Sequence, residues 1–168
     1  MNATRRLILA AILAALVFSV TYFTKIPIPY PPGAYAHAGD SIIYLSGMAL
    51  GGPWAAAVAA LGSGLADLFA APIYIPATVI IKAAMGLIAG LFLHSKSGEK
   101  VPARRIVLGL GLPALIMASG YYLYEVAVLG YNWLVDLQWV VANLAQGAVG
   151  IILYLPLAAA VRRILPRT

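Results

Sequence analysis

Asp40, Asp67, Lys82, Glu125, Asn143 and Gln146 are polar side chains set inside long apolar stretches, and they are the groups in this 168-residue chain that could do chemistry. A charge at membrane depth costs about 2.5–3.5 kcal/mol on insertion scales, so such a group marks a site or has a partner. This set can pair charges and exchange hydrogen bonds with a small polar molecule. Bond-making chemistry lacks its usual parts. The sequence has no Gly-x-x-x-x-Gly-Lys-Ser/Thr phosphate loop, so the chain does not use ATP by itself. It has no His-x-x-x-His pair for a metal and no Ser/His/Asp set on plausible facing positions. We expect no enzyme, no metal and no cofactor in this chain.

The elements that must hold these groups are membrane helices. The chain is 63% hydrophobic and 10% charged, against about 25% charged in soluble proteins. Its apolar blocks match the roughly 20 residues that cross a bilayer as a helix. The alternating ten-residue strands of a barrel are absent. We expect an all-α membrane protein, one domain over 1–168, with six transmembrane helices at about 7–24, 40–50, 54–71, 76–94, 106–129 and 137–161. The first run follows Arg5-Arg6 as a signal peptide would, but it is long enough to span and reads as a retained helix.

Charge placement gives orientation. Nine of the eleven basic residues lie at Arg5-Arg6, in the run from Lys96 to Arg105, and from Arg162 to Arg167. These places alternate with pairs of apolar segments, which puts both termini in the cytoplasm. The net charge of +6 therefore reports topology in a lipid bilayer and not nucleic-acid binding. With no cysteine, disulfide and thiolate chemistry are excluded.

The connections carry their own signals. Pro27, Pro29, Pro31 and Pro32 make 25–37 an extended, stiff loop. Its aromatic and aliphatic content suits a lid over a pocket, or a loop lying on the headgroup zone. Residues 36–39 form an irregular entry to the short second helix. Gly51-Gly52-Pro53 is a tight turn, and 130–136 reads as a turn with interfacial aromatics. On the first helix Ala10 and Ala14, and also Ala11 and Ala15, repeat at four-residue spacing. Such stripes serve internal packing or the docking of another helix.

This topology sets depth. Asp40, Asp67 and Glu125 fall near outer helix ends. Lys82 lies about 9 Å deep, and Asn143 and Gln146 about 9–14 Å, at 1.5 Å per residue. The strongly polar groups thus gather in the outer half, and the inner half is rich in Ala and Gly. That describes a pocket open outward and sealed below. Several bland roles compete: an Asp67–Lys82 bridge, a solvated Glu125, Asn143 and Gln146 as interhelical glue, His37 as a cap, and Tyr121 and Trp139 in an aromatic belt. Taken together with Tyr35, they suit a small planar molecule with hydrogen-bonding edges.

The segments His37-Ala-Gly-Asp40, Gly51-Gly-Pro53, Gly62-Ser-Gly-Leu-Ala-Asp67 and Tyr74-Ile-Pro-Ala-Thr78, followed by Ile81-Lys82 and Gly86-Leu-Ile-Ala-Gly90, resemble the substrate-binding S components of energy-coupling factor (ECF) vitamin transporters. The subgroup is the riboflavin-type one, which also takes in hydroxymethylpyrimidine and vitamin B6 proteins. The motifs cover 34–90, and size and helix number extend the likeness to the whole chain. The resemblance implies vitamin capture at the outer face and association with a transmembrane coupling subunit and two cytoplasmic ATPases that use ATP. It implies that the helix 1 alanines dock on the coupling subunit, that 25–37 gates the site, and that the whole subunit topples during transport. Substrate identity does not carry over. A pyrimidine or pyridine vitamin ranks first, with Glu125 accepting from a ring amine or pyridinium proton, and riboflavin second. The competing function is a self-sufficient carrier or channel, but residues 1–85 and 86–168 show no inverted repeat.

Overall fold

The computed structural model describes residues 2–31, 35–95 and 100–164, without the side chains of 35 and 164. Part of the proline loop, Lys96 and Arg167 lie outside the described residues. The order is α1 (Ala3–Phe23), β1 (Ile26–Pro27), β2 (Tyr35–Ala36), α2 (Gly39–Leu50), α3 (Gly52–Ala70), a 3-10 turn (Pro72–Tyr74), α4 (Ile75–Leu93), α5 (Ala103–Ala127) and α6 (Trp133–Ile164). All six expected helices form. Five are long and apolar enough to cross a bilayer. The exception is α2, whose 12 residues rise about 18 Å, well short of the roughly 30 Å hydrocarbon core.

Burial is inverted relative to a soluble bundle. Ile80 is 71% exposed, while Lys82, two residues on, is 2% exposed. Leu7, Phe69, Val107 and Val135 are likewise turned outward. Lipid tails are as apolar as leucine, so these side chains cost nothing outside, whereas charges must be kept inside. Small residues then let the backbones meet. α4 packs against α2, α3 and α5, with α1 laid on α3 and α6 on α2 and α5. A methyl group at Gly62 would stand 2.6 Å from the Ala14 carbonyl on α1, and one at Gly47 would stand 2.8 Å from the Gly90 amide.

Two ends of the bundle can be distinguished. The upper end holds the close of α1, the α3–α4 turn and the α5–α6 turn. The Tyr22–Phe69 ring contact at 6.4 Å and the Tyr124 hydroxyl donating to the Ile73 carbonyl at 2.7 Å tie these together. The lower end holds the start of α1, the α2–α3 turn at Gly51 (φ 86°), and the 94–103 connection.

Three local features differ from expectation. β1 and β2 pair antiparallel, Ile26 with Ala36 and Pro27 with Tyr35, so the two described ends of the proline loop form a short ribbon; β2 rests on α6. α5 begins at Ala103 rather than 106. α6 begins at Trp133, so most of 130–136 is helix. The reason is a cap: the Asn132 side chain accepts from the amides of Leu134 (3.0 Å) and Val135 (3.2 Å).

Candidate binding site

Asp40 sits at the start of α2 with no exposure at all. Lys82, in the second turn of α4, donates to its Oδ1 at 2.6 Å, and the Gln146 amide donates to its Oδ2 at 3.0 Å. The Lys82 ammonium also lies 3.0 Å from the Met117 sulfur on α5. One ion pair thus binds α2, α4 and α6, with α5 at its edge. The expected Asp67–Lys82 bridge does not form, because Asp40 takes the ammonium. The depth of Asp40 also needs correction. Its partner Lys82 is seven residues past the start of α4 and Gln146 thirteen past the start of α6, about 10 and 20 Å at the helical rise. Asp40 is therefore well inside the upper half and not at its face.

Asp67 instead accepts from the Thr78 hydroxyl across the α3–α4 turn. Thr78 shares a second hydrogen bond, 2.8 Å, with the Tyr121 hydroxyl on α5. Tyr121 meets the Tyr74 ring edge-on at 6.2 Å. The Tyr74 hydroxyl in turn donates to Glu125 Oε1 at 2.9 Å. Glu125 is only 6% exposed, so it is not the solvated edge group that one reading allowed. The Asp136 carboxyl, 3% exposed, lies within hydrogen-bonding reach of it. Glu125 Oε2 and Asp136 Oδ2 are both buried without a hydrogen-bond donor.

His37 does not cap α2; Ala38 holds the N-cap position without a side-chain bond. Its imidazole is buried and its Nδ1 unpartnered. Burial is the main cause that pushes its pKa down to about 4, against the pull of Asp40 and with the help of Lys82. Tyr35 pairs through its backbone, as β2; its side chain lies outside the described residues. Asn143 and Trp139 are half-buried on the α6 face that carries Gln146, and among the described residues no hydrogen bond reaches them. The two alanine stripes separate. Ala10 is buried and Ala14 packs beside it on the core, whereas Ala11 and Ala15 are exposed with Ile12 and Leu16.

Tyr74, quoted only within a motif, and Asp136, placed only in a turn, were not among the candidate site residues. Asp136 was hidden by the assumed turn. Asn132 as a helix cap, with an acidic residue in the first turn after it, was the available signal. The lower end contrasts in chemistry. His94 Nδ1 bonds the Met48 carbonyl at 2.9 Å, and Arg105 donates to the Leu91 carbonyl at 2.9 Å. These contacts close helix ends. A groove of about 330 Å³ there is lined by apolar side chains of α5 and α6, with Tyr154 and Arg162.

The fold has a counterpart among solved structures. A solved structure described as the crystal structure of FolT bound with folic acid superposes with a TM-score of 0.65 over 91% of both chains, at 17% identity. That likeness is one of fold. A protein from Pyrococcus woesei, described as uncharacterized and lying in a gap 3' region, is 33% identical over 101 residues. The match takes in 60% of this chain and 65% of that relative's length. A family model described as ECF-type riboflavin transporter, S component, matches residues 1–163. The chain belongs to the S-component family of ECF-type riboflavin transporters.

Proposed function

We propose that the chain captures a small aromatic heterocyclic vitamin from the extracellular side of a prokaryotic plasma membrane. It then delivers the vitamin through a transmembrane coupling subunit and two cytoplasmic ATPases. On this reading the upper end faces outward and both termini are cytoplasmic, as the basic residues require. ATP is used by the partners, and no cofactor, metal or nucleic acid takes part in this chain. The family is one of transporter components and not of enzymes.

One observation carries the reading. Asp40, Asp67, Thr78, Lys82, Tyr121, Glu125 and Gln146, from five helices, converge in one half of the bundle. A bundle needing only stability would have little reason to bury so many polar groups at one end. The aromatic members offer faces to a planar ring and the polar members offer partners to its edges. A pyrimidine or pyridine vitamin fits first and riboflavin second. Ala11 and Ala15, on the outward stripe of α1, are the residues we assign to docking on the coupling subunit.

The test is calorimetric titration of the purified protein with hydroxymethylpyrimidine, pyridoxine, riboflavin and folic acid. Saturable tight binding of one of them supports capture; binding of none removes it. Uptake in a host without coupling and ATPase subunits separates the competing carrier: strong accumulation there favours a self-sufficient transporter.

A further inference from the structure

Glu125 and Asp136 are brought together by an unusual turn. Gly130 takes φ +74°, a backbone state open to glycine at little cost. The turn lets the Tyr131 amide donate back to the Glu125 carbonyl at 3.0 Å. Asn132 then starts α6, and its backbone carbonyl takes the Asp136 amide at 2.9 Å. The end of α5 and the first turn of α6 are thereby locked, with two buried carboxyls eleven residues apart at one turn.

The pair is electrically incomplete. Lys82, the buried lysine of the described residues, is committed to Asp40. Tyr74 supplies one donor, to Glu125 Oε1. One oxygen of each carboxyl, Glu125 Oε2 and Asp136 Oδ2, remains buried and without a donor. Buried acceptor oxygens left unfilled are costly, and a donor or a positive charge brought to them relieves that cost. Aromatic rings border the site, with Tyr74 and Tyr124 centred 6.1 Å apart.

We propose that Glu125 and Asp136 form a two-carboxyl subsite for a ligand nitrogen that carries N–H donors or positive charge, such as an exocyclic amine or a pyridinium N–H. This rests on the vitamin-capture reading and narrows its substrate class. An aminopyrimidine presents two hydrogens to two acceptors, and a pyridinium presents one hydrogen with a charge. A cationic nitrogen also gains from the ring faces alongside. An imide edge like that of riboflavin is a poor match. Its single N–H is flanked by two carbonyl oxygens, which the carboxyl oxygens repel.

The experiment is calorimetric titration of wild type, Glu125→Gln and Asp136→Asn with 4-amino-5-hydroxymethyl-2-methylpyrimidine, pyridoxine and riboflavin. Thermal unfolding of each ligand-free variant runs in parallel. The subsite predicts that the aminopyrimidine or pyridoxine binds saturably. Each substitution should weaken that ligand at least tenfold, while the ligand-free melting temperature moves by only a few degrees. If riboflavin is the tight ligand and neither substitution changes it, capture stands and the subsite is overturned. If none of the three binds, the subsite is overturned, and capture falls with it only if folic acid also fails to bind. If a substitution weakens every ligand alike and lowers the ligand-free melting temperature steeply, the pair is structural and the subsite is again overturned.

Discussion

The upper half of the bundle holds two acidic centres of opposite character. Asp40 has both oxygens filled, one by an ammonium and one by an amide, from two other helices. Among the described residues, the Glu125–Asp136 pair has one donor, and two buried oxygens without any. The first centre is complete and joins helices. The second is left open at the end nearest the α5–α6 turn. Buried ion pairs add little net stability over an apolar isostere, but breaking one strands a charge. The two centres should therefore answer mutation in opposite ways.

The largest effect is expected at the completed centre. Lys82→Met strands the Asp40 carboxylate and should cost about 3–5 kcal/mol. Thermal unfolding in detergent, or loss of monodisperse protein, would register it. The double variant Lys82→Met with Asp40→Asn should recover much of that loss, because no buried charge remains. Equal instability of the single and double variants would mean that shape, not charge, is what the site supplies.

Next comes packing on α1, where the two alanine stripes can be played against each other. Ala14→Leu pushes into the contact with α3 at Gly62 and should cost about 1–3 kcal/mol. Ala11→Leu faces outward and should change stability by no more than about 0.5 kcal/mol. If the outward stripe docks on the coupling subunit, Ala11→Leu abolishes uptake in cells while vitamin binding by the purified protein is kept. Full uptake by that variant would move the docking face elsewhere.

His37 sharpens the comparison through pH. Its imidazole is neutral when folded, with a pKa near 4, and takes a proton below about 6.5 when unfolded. Between those values the unfolded chain binds more protons, so stability falls as the pH is lowered from 6.5 to 4. The slope is at most about 1.4 kcal/mol per pH unit from this one group. Above 6.5 it contributes no pH dependence. His37→Gln should flatten that part of the melting-temperature profile, and an unchanged slope would assign it to other groups.

The helices and the half of the bundle that holds the polar groups were readable from the chain because lipid enforces both. Apolar runs near 20 residues and basic loops are set by bilayer thickness and charge cost. Pairing was not readable. Asp67 and Lys82 flank one short turn, yet the ammonium goes to Asp40, forty-two residues away in sequence, because α2 packs directly against α4. Depth failed at Asp40 for a related reason. Spacing counts residues along a helix, and α2 begins far below its neighbours' ends. At Asp136 a run of bulky aromatics around Gly130 looked like a long turn, while the side chain of Asn132 was enough to start a helix.

The smallest change in stability is expected at the open centre, and it should come with the largest change in binding. Glu125→Gln removes an ionisable group that has no cationic partner among the described residues and keeps an acceptor for the Tyr74 hydroxyl. Asp136→Asn gives its neighbour a donor that the native pair lacks. Either variant should sit within about 1 kcal/mol of wild type, and the double variant should be no worse, since a buried group without a partner costs about 1–3 kcal/mol when left unmatched. A keystone pair would do the reverse and lose several kcal/mol, as Lys82→Met does. Melting curves of the ligand-free variants beside those of Lys82→Met distinguish the two. Retained folding with weakened vitamin binding identifies the α5–α6 end as the place where this bundle leaves hydrogen-bonding capacity for its ligand to fill.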